Sequence, residues 1–177
     1  MFDAQGLFTE LYDWILQTNP QAMANVKGGA GNEELNGVIY FFQTEMGVVV
    51  MYSVGGLPVN TQSCTGSVFA MHIHEGGSCA GTADDPFSET GGHYNPYGCP
   101  HPYQAGDLPP LFSNGGYAFG AVLSSRFGVE EILGRTVVVH ADVDDFHTQP
   151  AGNSGKKIAC GVIYALDSAD KTCVEAK

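Results

Sequence analysis

Residues 37–54 read GVIYFFQTEMGVVVMYSV. The segment holds two runs, 37–43 and 47–54, each opened by a glycine and rich in β-branched and aromatic side chains. Runs of this length and texture fit a half-buried pleated surface. The same pattern recurs along the chain at SVFAMHIHE (67–75), GYAFGAVL (116–123), RTVVVHADV (135–143) and ACGVIYAL (159–166). Six such runs with no helical pattern between them imply an all-β fold, an antiparallel sandwich or barrel. The 24 glycines among 177 residues, roughly twice the usual share, supply the tight turns of such a fold.

Upstream of these runs, Leu7, Phe8, Leu11, Trp14 and Ile15 recur at helical spacing, which predicts a helix over 2–18 ended by Asn19 and Pro20. That helix reads as one packed over the end of a sheet, so residues 1–20 are an extension and 21–177 a single domain. Two stretches interrupt the strand rhythm, 76–115 and 142–158, both polar and rich in Gly, Pro, Asp and Asn. Loops this long inside a compact domain are functional or held by a ligand. The net charge of −12 leaves no basic stripe for phosphates, which excludes a nucleic-acid partner. No apolar run approaches the ~20 residues of a membrane helix. Asp3, Glu10 and Asp13 stand where a signal peptide would be basic. The expected location is therefore cytoplasmic, or extracellular if the true N-terminus is missing. Five cysteines, with no CxxC pair, are too few and scattered for a disulfide scaffold.

The chemistry concentrates on histidine. In His72-Ile73-His74 the two imidazoles lie two residues apart, so on a strand they share a face and can grip one metal ion. An isolated pair of this kind is more often two solvated side chains. Here His93 and His101 lie in the first long loop, and His140 ends the run Val137-Val138-Val139, where it reads either as a ligand or as a core residue. An all-imidazole site suits copper, zinc, nickel or iron, and divalent copper is bound most tightly of the series. His93, His101 and Asp107 form a mixed nitrogen and oxygen set of the kind zinc accepts, although Asp107 reads equally as a turn residue in Gly106-Asp107-Leu108. His147, in the second loop, reads as solvated.

The order HIHE (72–75), GGHYNP (91–96), AGDLP (105–109), GRTVVVH (134–140) and ACGVI (159–163) resembles the copper/zinc superoxide dismutase family over residues 21–166. The resemblance implies a Greek-key β-sandwich or barrel that converts superoxide to oxygen and hydrogen peroxide by copper redox cycling. It implies His72, His74, His93 and His140 as copper ligands, with His93 bridging to zinc and helping to deliver a proton. His101 and Asp107 follow as further zinc ligands. Gln104 stands where the family usually places another histidine, which makes zinc the less secure cofactor. Asp144 corresponds to the carboxylate that hydrogen-bonds ligands of both metals, or is simply a loop aspartate beside Asp145. Lys157 stands where the family has an arginine that seats the superoxide anion, with Lys156 as a second cation. Cys79 and Cys160 correspond to the intrasubunit disulfide. Cys64 and Cys173 are a further candidate pair, leaving Cys99 as the odd thiol. Many family members form homodimers. Two competing readings are a non-enzymatic copper-binding or copper-delivery protein of the same fold, and a zinc hydrolase with Glu75 as its base.

Overall fold

The computed structural model describes residues 19–59 and 67–166. The helix expected over 2–18 and the pair Cys64 and Cys173 lie outside those residues. Among the described residues nine strands follow one another: β1 (Ala22–Gly28), β2 (Asn36–Thr44), β3 (Gly47–Gly55), β4 (Val68–Phe69), β5 (Met71–His74), β6 (Leu111–Phe112), β7 (Ala118–Ser124), β8 (Thr136–His140) and β9 (Lys157–Ala165). A single turn of helix, α1 (Val129–Ile132), precedes β8. Seven strands form one antiparallel sheet in the order β5-β8-β9-β1-β2-β3-β7, and β4 pairs with β6. The chain crosses over between β3 and β5 and again between β7 and β8, as a Greek key does.

Alternation sends one face of each strand inward. Ile39 and Phe41 of β2, Val48, Val50 and Val54 of β3, Met71 and Ile73 of β5, and Val137 and Val139 of β8 join one buried cluster. The intervening residues of β5 and β8 face the other way, and that outer face carries the histidines. The run at 67–75 is broken at Ala70, where the chain leaves β4 and enters β5. The run at 135–143 pairs only as far as His140, where a bulge shifts the register and sets His140 opposite Lys157. The first long loop occupies 75–110 and the second 141–156.

Candidate metal centre

Strand β5 lies at an edge of the sheet, with His72 opposite Val138 on its one paired side. Its other side is closed by the first loop. Ile73 N donates to Gly106 O at 2.9 Å, and Tyr94 N donates to Ile73 O at 2.8 Å. Isolated bridges then set Asp107 beside His72 and His93 beside His74. This contact needs Gly106, because a Cβ there would strike the Ile73 carbonyl. Arg135 secures the same loop, its guanidinium 3.9 Å above the Tyr94 ring and its Nη1 3.1 Å from Glu75 O. The loop thus covers histidines that would otherwise face water, and all four of His72, His74, His93 and His140 are buried.

The hydrogen bonds on the outer side of each ring fix which nitrogen carries the proton. His74 Nδ1 donates to Gly91 O at 3.0 Å, and His140 Nδ1 lies 3.2 Å from Ser154 Oγ and 3.4 Å from Gly155 O. Their Nε2 atoms, which then carry lone pairs, face each other at 3.2 Å. Two lone pairs at that distance repel unless a cation lies between them. A proton does not serve at neutral pH. Burial, with repulsion from His140 and His93, pushes His74 down to about 2. Burial and the neighbouring His72 push His140 down to about 3. His72 donates from Nε2 to Asp144 Oδ2 at 2.9 Å, and its Nδ1 is buried without a partner, as is His93 Nε2. One donor atom from each of these four residues lies within 4.8 Å of the other three. Four converging imidazole lone pairs fit a transition-metal ion and little else.

A second set adjoins the first. Donor atoms of His93, His101 and Asp107 also lie within 4.8 Å of one another. His93 Nδ1 is 2.8 Å from Asp107 Oδ1. His101 gives its Nε2 proton to Asp144 Oδ1 at 2.8 Å, so Nδ1 turns a lone pair toward Asp107 Oδ1 at 3.1 Å. That opposition again calls for a cation. Asp144 therefore spans the two sets, with one oxygen on His72 and the other on His101. Burial by itself would raise Asp144, but hydrogen bonds from His72, the Phe146 amide and His101 outweigh it and hold the carboxyl at about 2. Phe146 adopts φ 58° to bring that amide to Asp144 Oδ1 at 2.7 Å. Such a backbone costs roughly 1–3 kcal/mol and persists where its surroundings impose it. Gly152, at φ 65°, packs against Asp144 and His101 where a Cβ would collide with both.

The family model for copper/zinc superoxide dismutase matches residues 35–163, the span that contains every residue of both sets. This chain belongs to the copper/zinc superoxide dismutase family. Among members it is similar to superoxide dismutase [Cu-Zn] 2 of Aquifex aeolicus, 32% identical over 145 aligned residues, with 73% of this chain and 80% of that protein covered. It is also similar to the superoxide dismutase [Cu-Zn] of Photobacterium leiognathi, 34% identical over 141 residues, 72% of this chain and 78% of that protein. A crystal structure of a double mutant of a SOD-like protein from Bacillus subtilis superposes with a TM-score of 0.64 at 28% identity, covering 80% of this chain and 96% of that one.

Lys157 is half-buried at the start of β9. Its Nζ donates to Phe87 O and Gly91 O, both at 3.3 Å. Gly91 O also accepts from His74, so the ammonium is one carbonyl away from a ring of the first set. His74, His93, His140, Gln104 and Lys157 line one cleft. His147 is exposed, and Lys156 is exposed beside the cleft. The disulfide that the resemblance implies, Cys79–Cys160, is present, and it ties the first loop to β9 on the outer face. Cys99 is a free thiol. Sequence reasoning passed over Ser154, which is buried against His140, and the Arg135–Tyr94 contact. Nothing local distinguishes Ser154 from any other loop serine, since its partner is fourteen residues away.

A pH dependence follows. Both His74 and His140 stay neutral in the fold well below 6.5, whereas the unfolded chain takes up protons at about that pH. The unfolded state then binds more protons, so stability is retained above about 6.5 and lost as the pH falls toward 3. The lowered Asp144 adds a further loss as the pH passes from 3.8 toward 2. Thermal melts of metal-free protein will show a steadily falling midpoint across that acid range. A midpoint independent of pH between 6.5 and 4 would contradict it.

Proposed function

We propose that this chain is a superoxide dismutase, converting superoxide to oxygen and hydrogen peroxide with copper at the first set and zinc at the second. The reading rests on one observation: donor nitrogens of four buried imidazoles converge beside a cleft that Lys157 also lines. His72, His74, His93 and His140 would hold copper, which supplies the one-electron exchange with superoxide in both directions. His93, His101 and Asp107 would hold zinc, a non-redox ion that keeps the loop and the His93 ring in place. Relatives 32% and 34% identical carry the name of that activity, which supports the reading.

The protein's own groups supply the rest. Lys157 attracts and seats the anion. Against a net charge of −12, this local positive field sets the encounter rate. His93 sets Nδ1 beside Asp107 in the second set and turns Nε2 toward the first, and whenever Nε2 is not engaged there it can hold a proton and pass it to the reduced product. Asp144 keeps the His72 and His101 rings oriented.

The deciding assay is superoxide dismutation by protein reconstituted with copper and zinc, beside protein holding zinc alone. Activity with both ions and none with zinc alone is the expected result, and it separates an enzyme from a metal carrier. Lys157→Ala will lower the second-order rate by ~10-fold and flatten its dependence on ionic strength, while Lys157→Arg will restore both. A rate and salt slope unchanged in Lys157→Ala would remove that residue from anion guidance.

A further inference from the structure

Among the described residues, four buried side-chain polar atoms have no hydrogen-bond partner: His72 Nδ1, His93 Nε2, His101 Nδ1 and Gln104 Oε1. The first three belong to the two metal sets. The fourth belongs to a residue three positions after His101 and three before Asp107. Gln104 is only 6% exposed and lines the same cleft as His93. Its amide cannot be turned over, because Nε2 donates to Pro150 O at 3.3 Å and a carbonyl accepts only. Its main-chain N donates to Asp107 Oδ2 at 2.9 Å, and its main-chain O accepts from Arg126 Nη1 at 3.3 Å. Every polar atom of the residue is engaged except Oε1. Native folds rarely bury an amide oxygen idle, and each of the other three idle atoms points to a metal set.

The geometry points to Gln104 Oε1 as the fourth donor of the second set, completing His93, His101 and Asp107 as a shell of two nitrogens and two oxygens. The inference rests on reading that set as a divalent-metal site. Closed zinc sites take four ligands in a tetrahedron, and three side chains leave one position to fill. A neutral amide oxygen is a harder and weaker donor than imidazole. The site should therefore hold zinc less tightly than one completed by histidine.

The test uses full-length protein holding one equivalent of Cu(I), which is spectroscopically silent, so that added Co(II) reports on the second set. Zn(II) affinity is measured in parallel against a chromophoric chelator. Wild-type protein will bind one Co(II) with the visible absorption of a four-coordinate ion. Gln104→Ala and Gln104→Met will each weaken Zn(II) by ~10-fold or more and change the Co(II) spectrum. Gln104→His will tighten Zn(II) by a similar factor. Methionine matches glutamine in length, so agreement between the Ala and Met variants separates a lost donor from lost packing. Melts of the metal-free forms show whether each variant is folded. Affinity and spectrum unchanged in both Gln104→Ala and Gln104→Met would overturn the inference and leave the second set standing with three protein ligands. If wild-type protein itself binds neither Zn(II) nor Co(II) there, the second set and this inference fall together, while the copper assignment is untouched.

Discussion

Replacing His140 with alanine will strip copper from the protein and lower superoxide dismutation by ~100-fold or more. His140 is the last residue of β8, and its ring meets His74 nitrogen to nitrogen at 3.2 Å. The substitution leaves the three nitrogens of His72, His74 and His93, and it frees Ser154 and the Gly155 carbonyl from their ring partner. The backbone bond from residue 140 N to Ala70 O, 2.9 Å in the native protein, does not depend on the side chain, so the strand should persist. Metal content after dialysis against a mild chelator, with activity on the same samples, is the measurement. Removal of one imidazole that the fold holds neutral also makes a second readout: the metal-free variant will lose less stability in acid than metal-free wild type. A variant that keeps one tightly held copper and full activity would show that the ion is bound elsewhere.

Unfolding of metal-free protein will lose about 4.5 kcal/mol when Cys79 and Cys160 are both replaced by serine. The two are 81 residues apart in sequence, and a cross-link over that span removes a large share of the unfolded chain's freedom. A change of that size in a domain of this length lowers the melting midpoint by on the order of 10–15 °C. The effect will extend to the metal sets. Cys160 packs with Phe87 and Val138 on the outer face, beside the β8 residue paired to His72. The loop fastened there carries His93, His101 and Asp107. Denaturant titration of the double variant against wild type, both metal-free, measures the difference. A shared midpoint would mean that the loop is held by its non-covalent contacts, along β5 and elsewhere, without help from the disulfide.

The strand runs were legible because β-branched and aromatic residues report a local surface preference. The first strand was not. Its sequence AMANVKG carries alanine and asparagine where other strands carry valine and phenylalanine. It nevertheless lies between β9 and β2, with Ala22, Ala24 and Val26 fully inside. Burial by neighbours on both sides overrides weak propensity. The short pairing of β4 with β6 was equally hidden, since two residues give no period. For the site, the shared face of His72 and His74 follows from the two-residue repeat of a strand. Residue chemistry also marked His93, His101 and Asp107 as a set that zinc accepts, but only the family resemblance chose between ligand and turn residue for Asp107, because a loop has no period from which to read direction.

The chain's own order of residues determined an all-β fold, two long loops, and histidine as the chemistry-bearing side chain. These are local properties, set by which neighbours a residue has within a turn or a strand. Tertiary structure alone decided that lone pairs from β5, β8 and the first loop meet in one buried place, that Asp144 reaches one histidine of each set, and that Gln104 keeps an oxygen in reserve. Those outcomes depend on how strands distant in sequence pair and on what each loop lies against. The unfavourable opposition of bare nitrogens, which is what calls for a metal, exists only after the sheet and its loops have folded around them.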